Sequence, residues 1–248
     1  MGAPNSALMC LICRPVSRRA FCAGALTLPL LPGHTRYGLE EPVLRLAPSG
    51  GRRVAVTLDC CPGRFDMRIA SVLIARKIPA TIFVTAIWMR ENPEALALML
   101  DHPDCFTLEN HGANHVMPAL DTTPIWGLQP AGSYDAIRAE VENGADAVEK
   151  ATGRRPVWYR AAGGLYSPQA IPFIEGLGFK IGGYSLNADA GASLPAAMVA
   201  RRLEAAQDGD VTEGHINQPK RAAGAGIAAG LARLADQGVQ FTTLDAAC

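Results

Sequence analysis

The chain has 248 residues with 23 basic and 23 acidic side chains, so its formal net charge is zero. That length suffices for one full-sized domain with its own core, and the balanced charge excludes a partner gripped chiefly through phosphates, such as nucleic acid. Hydrophobic residues at 49% against 19% charged exclude a disordered chain.

The first element in chain order is an address. Ser17-Arg18-Arg19-Ala20-Phe21 precedes a short apolar run, residues 22–31, broken by Pro29 and Pro32. The run falls short of the ~20 apolar residues that cross a bilayer, so no stable membrane span is expected. A charged segment ahead of a short apolar one reads as an export signal, and the Arg pair followed by Phe resembles the twin-arginine type. Residues 1–40 are therefore set apart as signal and linker, residues 41–248 as the folded domain, and the expected location is the periplasm. Of seven cysteines, Cys60, Cys61, Cys105 and Cys248 lie beyond the signal. Adjacent Cys60 and Cys61 diverge from an extended backbone and are poorly placed to pair with each other; the sequence selects no disulfide.

From residue 54 strand and helix patterns alternate. Strands are expected at 54–59, 80–84, 106–109, 157–159, 180–186, 210–216 and 239–244, the fifth weakened by Gly182 and Gly183. Helices are expected at 66–77, 93–100 with Asn92 as cap and Pro93 at the first position, 133–152, 168–177, from 193 or 194 through 206, and 225–237. Residues 116–133 read as loop. Seven such units argue for a parallel sheet with helical crossovers, closed or nearly closed into a barrel, with a doubly wound open sheet as the alternative. No GxGxxG follows the first strand, which weakens a dinucleotide reading.

Chemistry collects where these strands end. The first ends at Asp59, followed by Cys60-Cys61-Pro62-Gly63. The third ends in Asn110-His111-Gly112-Ala113-Asn114-His115, the fourth in Arg160, the fifth in Asn187-Ala188-Asp189, and the sixth carries His215-Ile216-Asn217. In a parallel barrel the carboxyl ends share one rim. His111 and His115, four apart, face one side if they form a helical turn and can then share one divalent cation of the zinc or similar borderline class.

These residues resemble the polysaccharide deacetylase family, carbohydrate esterase family 4, over roughly residues 52–245. The family's Thr-Phe-Asp-Asp-Gly-Pro is matched in part by Thr57-Leu58-Asp59-Cys60-Cys61-Pro62, and its Asn-His-Ser/Thr-x-x-His by residues 110–115. Pro79-Ala80-Thr81-Ile82-Phe83-Val84 is similar to its second-strand pattern, Tyr159-Arg160 to its arginine motif and His215 to its last histidine. The resemblance implies a distorted (β/α)7 barrel of parallel strands. It further implies one divalent metal, and removal of acetyl groups from N-acetylated polysaccharides of chitin or peptidoglycan type. Asp59 would be the base that takes the proton of attacking water, and His215 the acid that protonates the departing amine. Arg160 would hold Asp59 ionised, and His111 and His115 would hold the metal. Asn187, Asp189 and Asn217 are the candidates for substrate contact.

The chain departs from the family's pattern in several places. Cys60 stands where the family has its second Asp, usually the third metal ligand, which leaves Cys60, Asp66 or Asp59 as possible third ligands. The family's Arg-x-Pro-Tyr/Phe is Arg160-Ala161-Ala162-Gly163 here, its Asp-x-x-Asp-Trp is reduced to Asn187-Ala188-Asp189, and Glu213 replaces the leucine two before the last His. Two readings follow: a metal-dependent carbohydrate deacetylase, or a relative that binds glycan without hydrolysing it. Hydrolysis of another C–N amide bond is a variant of the first.

Overall fold

The computed structural model describes residues 31–247; the expected export signal lies outside these. β1 (Leu31–Arg36) and β2 (Leu39–Val43) form an antiparallel hairpin with Arg36 opposite Leu39. Its two-residue turn, Tyr37-Gly38, has φ of 55° and 73°, the left-handed pair that matches the twist of a hairpin. Residues set aside as linker in the sequence reading thus include a packed element.

β3 (Arg53–Cys60) is the central strand. It is followed by α1 (Met67–Arg76), which Asp66 caps by accepting from the Arg68 N–H, and by β4 (Ala80–Val84). α2 (Ala86–Glu91) was not evident from periodicity; it is capped by Thr85 and ends at Asn92, where α3 (Pro93–Leu100) starts. Asn92 does not cap α3 as expected. Its amide donates instead to the carbonyls of Gly63 and Trp88 at 3.1 and 3.0 Å. β5 (Phe106–Asn110), α4 (Tyr134–Thr152, capped by Ser133) and β6 (Trp158–Tyr159) follow. Then come α5 (Ala170–Gly176), β7 (Lys180–Ile181), β8 (Leu186–Asn187), α6 (Ala196–Glu204), β9 (Val211–Glu213), α7 (Ala222–Asp236), β10 (Gln240–Thr242) and α8 (Leu244–Ala247).

Seven strands run parallel in the order β7-β6-β5-β4-β3-β9-β8, and β10 pairs with the start of β3. The arrangement is a distorted (β/α)7 barrel, as the sequence implied. The expected fifth strand is split: its first half, β7, ends one edge of the sheet and its second half, β8, begins the other. The stretch between them bridges the two edges. The hairpin covers this seam, with Leu44 N–H donating to the Tyr184 carbonyl (3.4 Å) and Tyr184 N–H to the Pro42 carbonyl (3.3 Å).

Alternation along β3 sorts its side chains. Val54, Val56, Leu58 and Cys60 join the buried layer under the helices, with Ile69, Leu73, Trp88, Ile227 and Leu231. Ala55 packs with Phe83, Trp158 and Val211 in a separate cluster on the opposite face. A two-residue period places Asp59 on the face of Ala55, away from Cys60. Each fully buried aliphatic side chain of the helix layer contributes about 1.5–3 kcal/mol, so the register of β3 is strongly fixed.

Candidate active site

Two bonds extend the sheet past the end of β9 to the key acid. Asp59 N–H donates to the Gly214 carbonyl (2.8 Å) and Ile216 N–H to the Asp59 carbonyl (3.1 Å), which sets Asp59 beside His215. Asp59 is 5% exposed. Its Oδ1 accepts from Arg160 Nη1 at 2.8 Å. Arg160 is buried, donates from Nε to the Gly182 carbonyl (2.7 Å) and from Nη2 to the Gly183 carbonyl (3.2 Å), and lies over the Phe83 ring at 4.1 Å.

His111 follows β5, where its N–H continues the ladder to the Val84 carbonyl at 3.0 Å. Its Nδ1 meets the Arg160 carbonyl at 2.9 Å; a carbonyl only accepts, so Nδ1 carries a proton and Nε2 is the ring nitrogen turned toward Cys61. That Nε2 lies 3.4 Å from Cys61 Sγ and 3.9 Å from Asp59 Oδ2. His115 comes alongside with ring centroids 5.0 Å apart. The pair was expected on a helical turn. A loop brings them together instead, with Gly112 at φ 88° and His115 at φ 63°. Glu140 of α4 pins that loop, accepting from the N–H groups of Asn114 and Val116 at 2.9 and 3.0 Å. Asn110 Oδ1 accepts from Gly112 N–H at 2.8 Å. Gly144 lets α4 approach: a Cβ there would fall 2.6 Å from the Gly112 carbonyl carbon.

For a third ligand the geometry offers a candidate outside the three the sequence left open. Cys60 is buried in the helix-facing layer and Asp66 is committed to Arg68, two hydrogen bonds to its guanidinium included. Cys61 faces the histidines, and one ligand atom from each of Cys61, His111 and His115 lies within 4.8 Å of the others. The alternation that takes Cys60 away from Asp59 was the available signal.

His215 stands on the other side of Asp59. Asp189 accepts from its backbone N–H (2.8 Å) and from its Nδ1 (3.0 Å), and Glu213 Oε1 lies 3.2 Å from the same Nδ1. With both carboxylates at Nδ1, His215 has Nε2 left for other partners. Asp189 was expected to touch substrate. It is fully buried, and its oxygens are spent on His215 and the Ala192 N–H, so it positions the histidine. Asn217, expected in the same role, is buried too and donates to the carbonyls of Cys61 and Pro62 at 2.8 and 3.2 Å, bracing the cysteine turn. Asn187 does line the cleft; its Oδ1 accepts from Ala190 N–H at 2.7 Å.

The cleft holds about 740 Å³, with Asp59, Cys61, His115, Glu213 and His215 among its lining. Trp126 forms part of its wall at 55% exposure, with the Arg36 guanidinium over its ring at 4.8 Å. Trp126 was passed over because residues 116–133 read only as loop; a large aromatic in a Pro- and Gly-rich loop was the signal.

Burial alone would raise the Asp59 carboxyl, but the Arg160 charge, then those of His111 and His215, hold it below the usual carboxylate range. Burial would also raise the Cys61 thiol; the His111 charge and hydrogen bonds from His111, His115 and His215 turn it well below its ordinary value. Burial would lower both His111 and His215. Asp59 and Cys61 raise the first, while Glu213 and Asp189 raise the second well above the imidazole range. Cys60, buried beside two anions, is pushed well up and stays a thiol. Cys60, Cys61 and Cys105 are all free among the described residues.

The donor set suits a divalent metal. A thiolate-prone sulfur and two imidazoles are borderline-soft ligands of the zinc class, and three protein ligands leave a position open, as in catalytic zinc sites. His115 Nε2 is buried without a hydrogen-bond partner. Next to this set lie a carboxylate fixed by Arg160 and a histidine backed by two carboxylates, on either side of one cleft.

A sequence model of the family described as polysaccharide deacetylase matches residues 47–182. No curated protein matches the chain. Among solved structures, a carbohydrate esterase family 4 pseudoenzyme from Bacillus anthracis, BA3943, superposes with a TM-score of 0.64 at 16% identity, covering 84% of this chain and 69% of that one. The peptidoglycan deacetylase PdaC of Bacillus subtilis gives a TM-score of 0.64 at 22% identity, over 79% of this chain and 90% of that one. A family 4 acetyl xylan esterase from Clostridium thermocellum, in complex with a cobalt ion, gives 0.63 at 22% identity with the same coverage. At these identities the likeness is one of fold.

Proposed function

This chain belongs to the polysaccharide deacetylase family, and we propose that it is a metal-dependent hydrolase that removes acyl groups, acetyl the simplest, from the nitrogen of amino sugars in chitin- or peptidoglycan-like polymers. The observation that carries the reading is the convergence, in one cleft, of Asp59 held by Arg160, the Cys61-His111-His115 set, and His215. A divalent ion of the zinc class held by Cys61, His111 and His115 would supply Lewis-acid polarisation of the scissile carbonyl.

The chain's own groups handle the protons. Asp59, ionised and within 3.9 Å of His111, takes a proton from the attacking water. Arg160 keeps that carboxylate charged and fixes its orientation through bonds to Gly182 and Gly183. His215 delivers a proton from Nε2 to the departing amine, and Asp189 and Glu213 at Nδ1 stabilise the imidazolium beforehand. Trp126 offers a face on which a sugar ring stacks, and Asn187 a polar contact at the wall. The Arg18-Arg19 segment supports export to the periplasm by the twin-arginine route, where such polymers are met. The domain that does the work runs from within residues 31–43 to the end of the sequence, behind the signal.

Purified protein should contain about one equivalent of metal and should release acetate from N-acetylated chitooligosaccharides or peptidoglycan fragments. Chelation and His111→Ala should abolish release. Sugar binding that survives chelation with no acetate formed would reassign the chain to glycan binding alone.

A further inference from the structure

The floor of the cleft contains a group that the proposed proton transfers leave half unused. Glu213, at the end of β9, is 4% exposed and lines the cleft two residues before His215. Its Oε1 faces His215 Nδ1, while its Oε2 is buried with no hydrogen-bond partner. Few side chains leave an oxygen so placed, since a buried unpaired polar atom costs about 1–3 kcal/mol; burial, with the Asp189 and Asp59 charges, pushes the Glu213 carboxyl up to about 8. The surroundings do not offer a donor. Arg160 spends its N–H groups on Asp59, Gly182 and Gly183, His215 Nδ1 faces Asp189 and Glu213 Oε1, and the Tyr184 hydroxyl donates to Glu41 Oε1 at 2.5 Å.

Depth separates the parts of a substrate. Trp126, Asn187, Gln218 and Arg221 form the wall toward solvent, whereas Asp59 and Glu213 are almost fully covered. That depth suits a polymer backbone lying along the wall and a small acyl substituent on the scissile nitrogen at the floor. A bare methyl arriving there would leave Glu213 Oε2 without a partner; an acyl group with a hydroxyl would supply one.

Resting on the hydrolase reading above, we infer that Glu213 is a specificity-determining residue that selects short acyl groups bearing a hydroxyl, hydroxyacetyl above acetyl. The reaction is ordinary amide hydrolysis: water adds across the C–N bond, the hydroxyacid leaves as carboxylate, and the nitrogen leaves as amine with the proton from His215. No oxidant or further reactant enters.

The test uses the metal-loaded protein with a matched pair of glucosamine oligosaccharides, N-acetyl and N-hydroxyacetyl. Turnover is read as amine formed, and affinity is read separately by calorimetry on the chelated protein. The wild type should favour the hydroxyacetyl sugar at least tenfold in kcat/KM. Glu213→Leu should reverse the preference, and Glu213→Gln, of the same shape and still able to accept, should keep most of it. Melting curves exclude misfolded variants from the comparison. A wild-type ratio near one that Glu213→Leu leaves unchanged overturns the inference while the hydrolase reading stands. If neither sugar is hydrolysed, the hydrolase reading fails, and the affinity ratio decides the role of Glu213: tenfold tighter hydroxyacetyl binding, lost in Glu213→Leu, supports it, while equal binding or none overturns it.

Discussion

Arg160 and Asp59 form a buried pair whose geometry is set from behind: the guanidinium gives one N–H to the carboxylate and two more to the carbonyls of Gly182 and Gly183. The arginine is thereby oriented before Asp59 is, and the carboxylate takes its place from it. Breaking such a pair on one side leaves an uncompensated charge in the core, a cost of about 3–5 kcal/mol. Arg160→Met should lower stability by that order in denaturant unfolding and reduce turnover by at least about a hundredfold. Arg160→Lys should recover part of the stability but little turnover, because an ammonium cannot serve three fixed acceptors as a planar fork does. Full turnover in Arg160→Met would remove Asp59 from the role of base.

Two neighbouring thiols should behave as opposites. Cys61→Ala should lose metal, read by elemental analysis, and cobalt-loaded wild type should show the near-ultraviolet thiolate-to-metal absorption that Cys61→Ala lacks. Cys60→Ala should keep both metal and absorption, and cost about 1–2 kcal/mol through lost packing in the helix layer. Retention of the absorption in Cys61→Ala and its loss in Cys60→Ala would reverse the assignment.

The histidine loop hangs on α4. Glu140→Ala strips the acceptor from the N–H groups of Asn114 and Val116, and is expected to weaken metal affinity by about 10–100-fold. Gly144→Ala pushes a methyl into Gly112 and should have a comparable effect with none of the metal's ligands altered. Competition with a chromophoric chelator measures both; affinities equal to wild type would show that the loop holds its shape unaided.

A pH effect is expected far from the cleft. Asp208 accepts from the Ser49 N–H and hydroxyl (2.7 and 2.6 Å) and the Arg53 N–H (2.9 Å), and these bonds hold its carboxyl down to about 2 from 3.8. A depressed folded-state value stabilises above the unfolded value and is lost as pH falls from 3.8 through about 2. Asp208→Asn should flatten that part of the stability profile and, at neutral pH, quicken amide exchange at Ser49 and Arg53. An unchanged acid limb would show that the carboxylate contributes nothing there.

The sequence revealed the barrel because β3, β4 and β5 are short buried runs ended by polar clusters, and helices such as α1 and α4 carry their own caps. The rim was legible for the same reason: parallel strands deliver their last residues to one side, so Asp59, His111, Arg160 and His215 could be grouped without coordinates. Cys61 did not stand out as a candidate ligand because motif position outweighs strand alternation, which already separates Cys60 from Asp59. Asp189 and Asn217 were read as substrate contacts since nothing in one dimension tells a cleft-lining polar group from one buried behind it. The split between β7 and β8 was hidden because the pairing of a two-residue strand is decided by neighbours distant in sequence.

The hairpin, docked onto Tyr184 through Pro42 and Leu44, carries a last consequence. The sequence likeness to the family begins at residue 47, beyond it, so a trimmed version drawn to that boundary would discard the clamp on Tyr184. Gly183, whose carbonyl orients Arg160, is packed so tightly beneath this clamp that a Cβ there would fall 3.2 Å from the Leu44 nitrogen. The segment that emerges from the ribosome before the barrel therefore waits, unpaired with its eventual seat, until residue 184 has been made. A shortened chain could keep every ligand and both proton carriers and still be inactive, its arginine resting on a loosened seam.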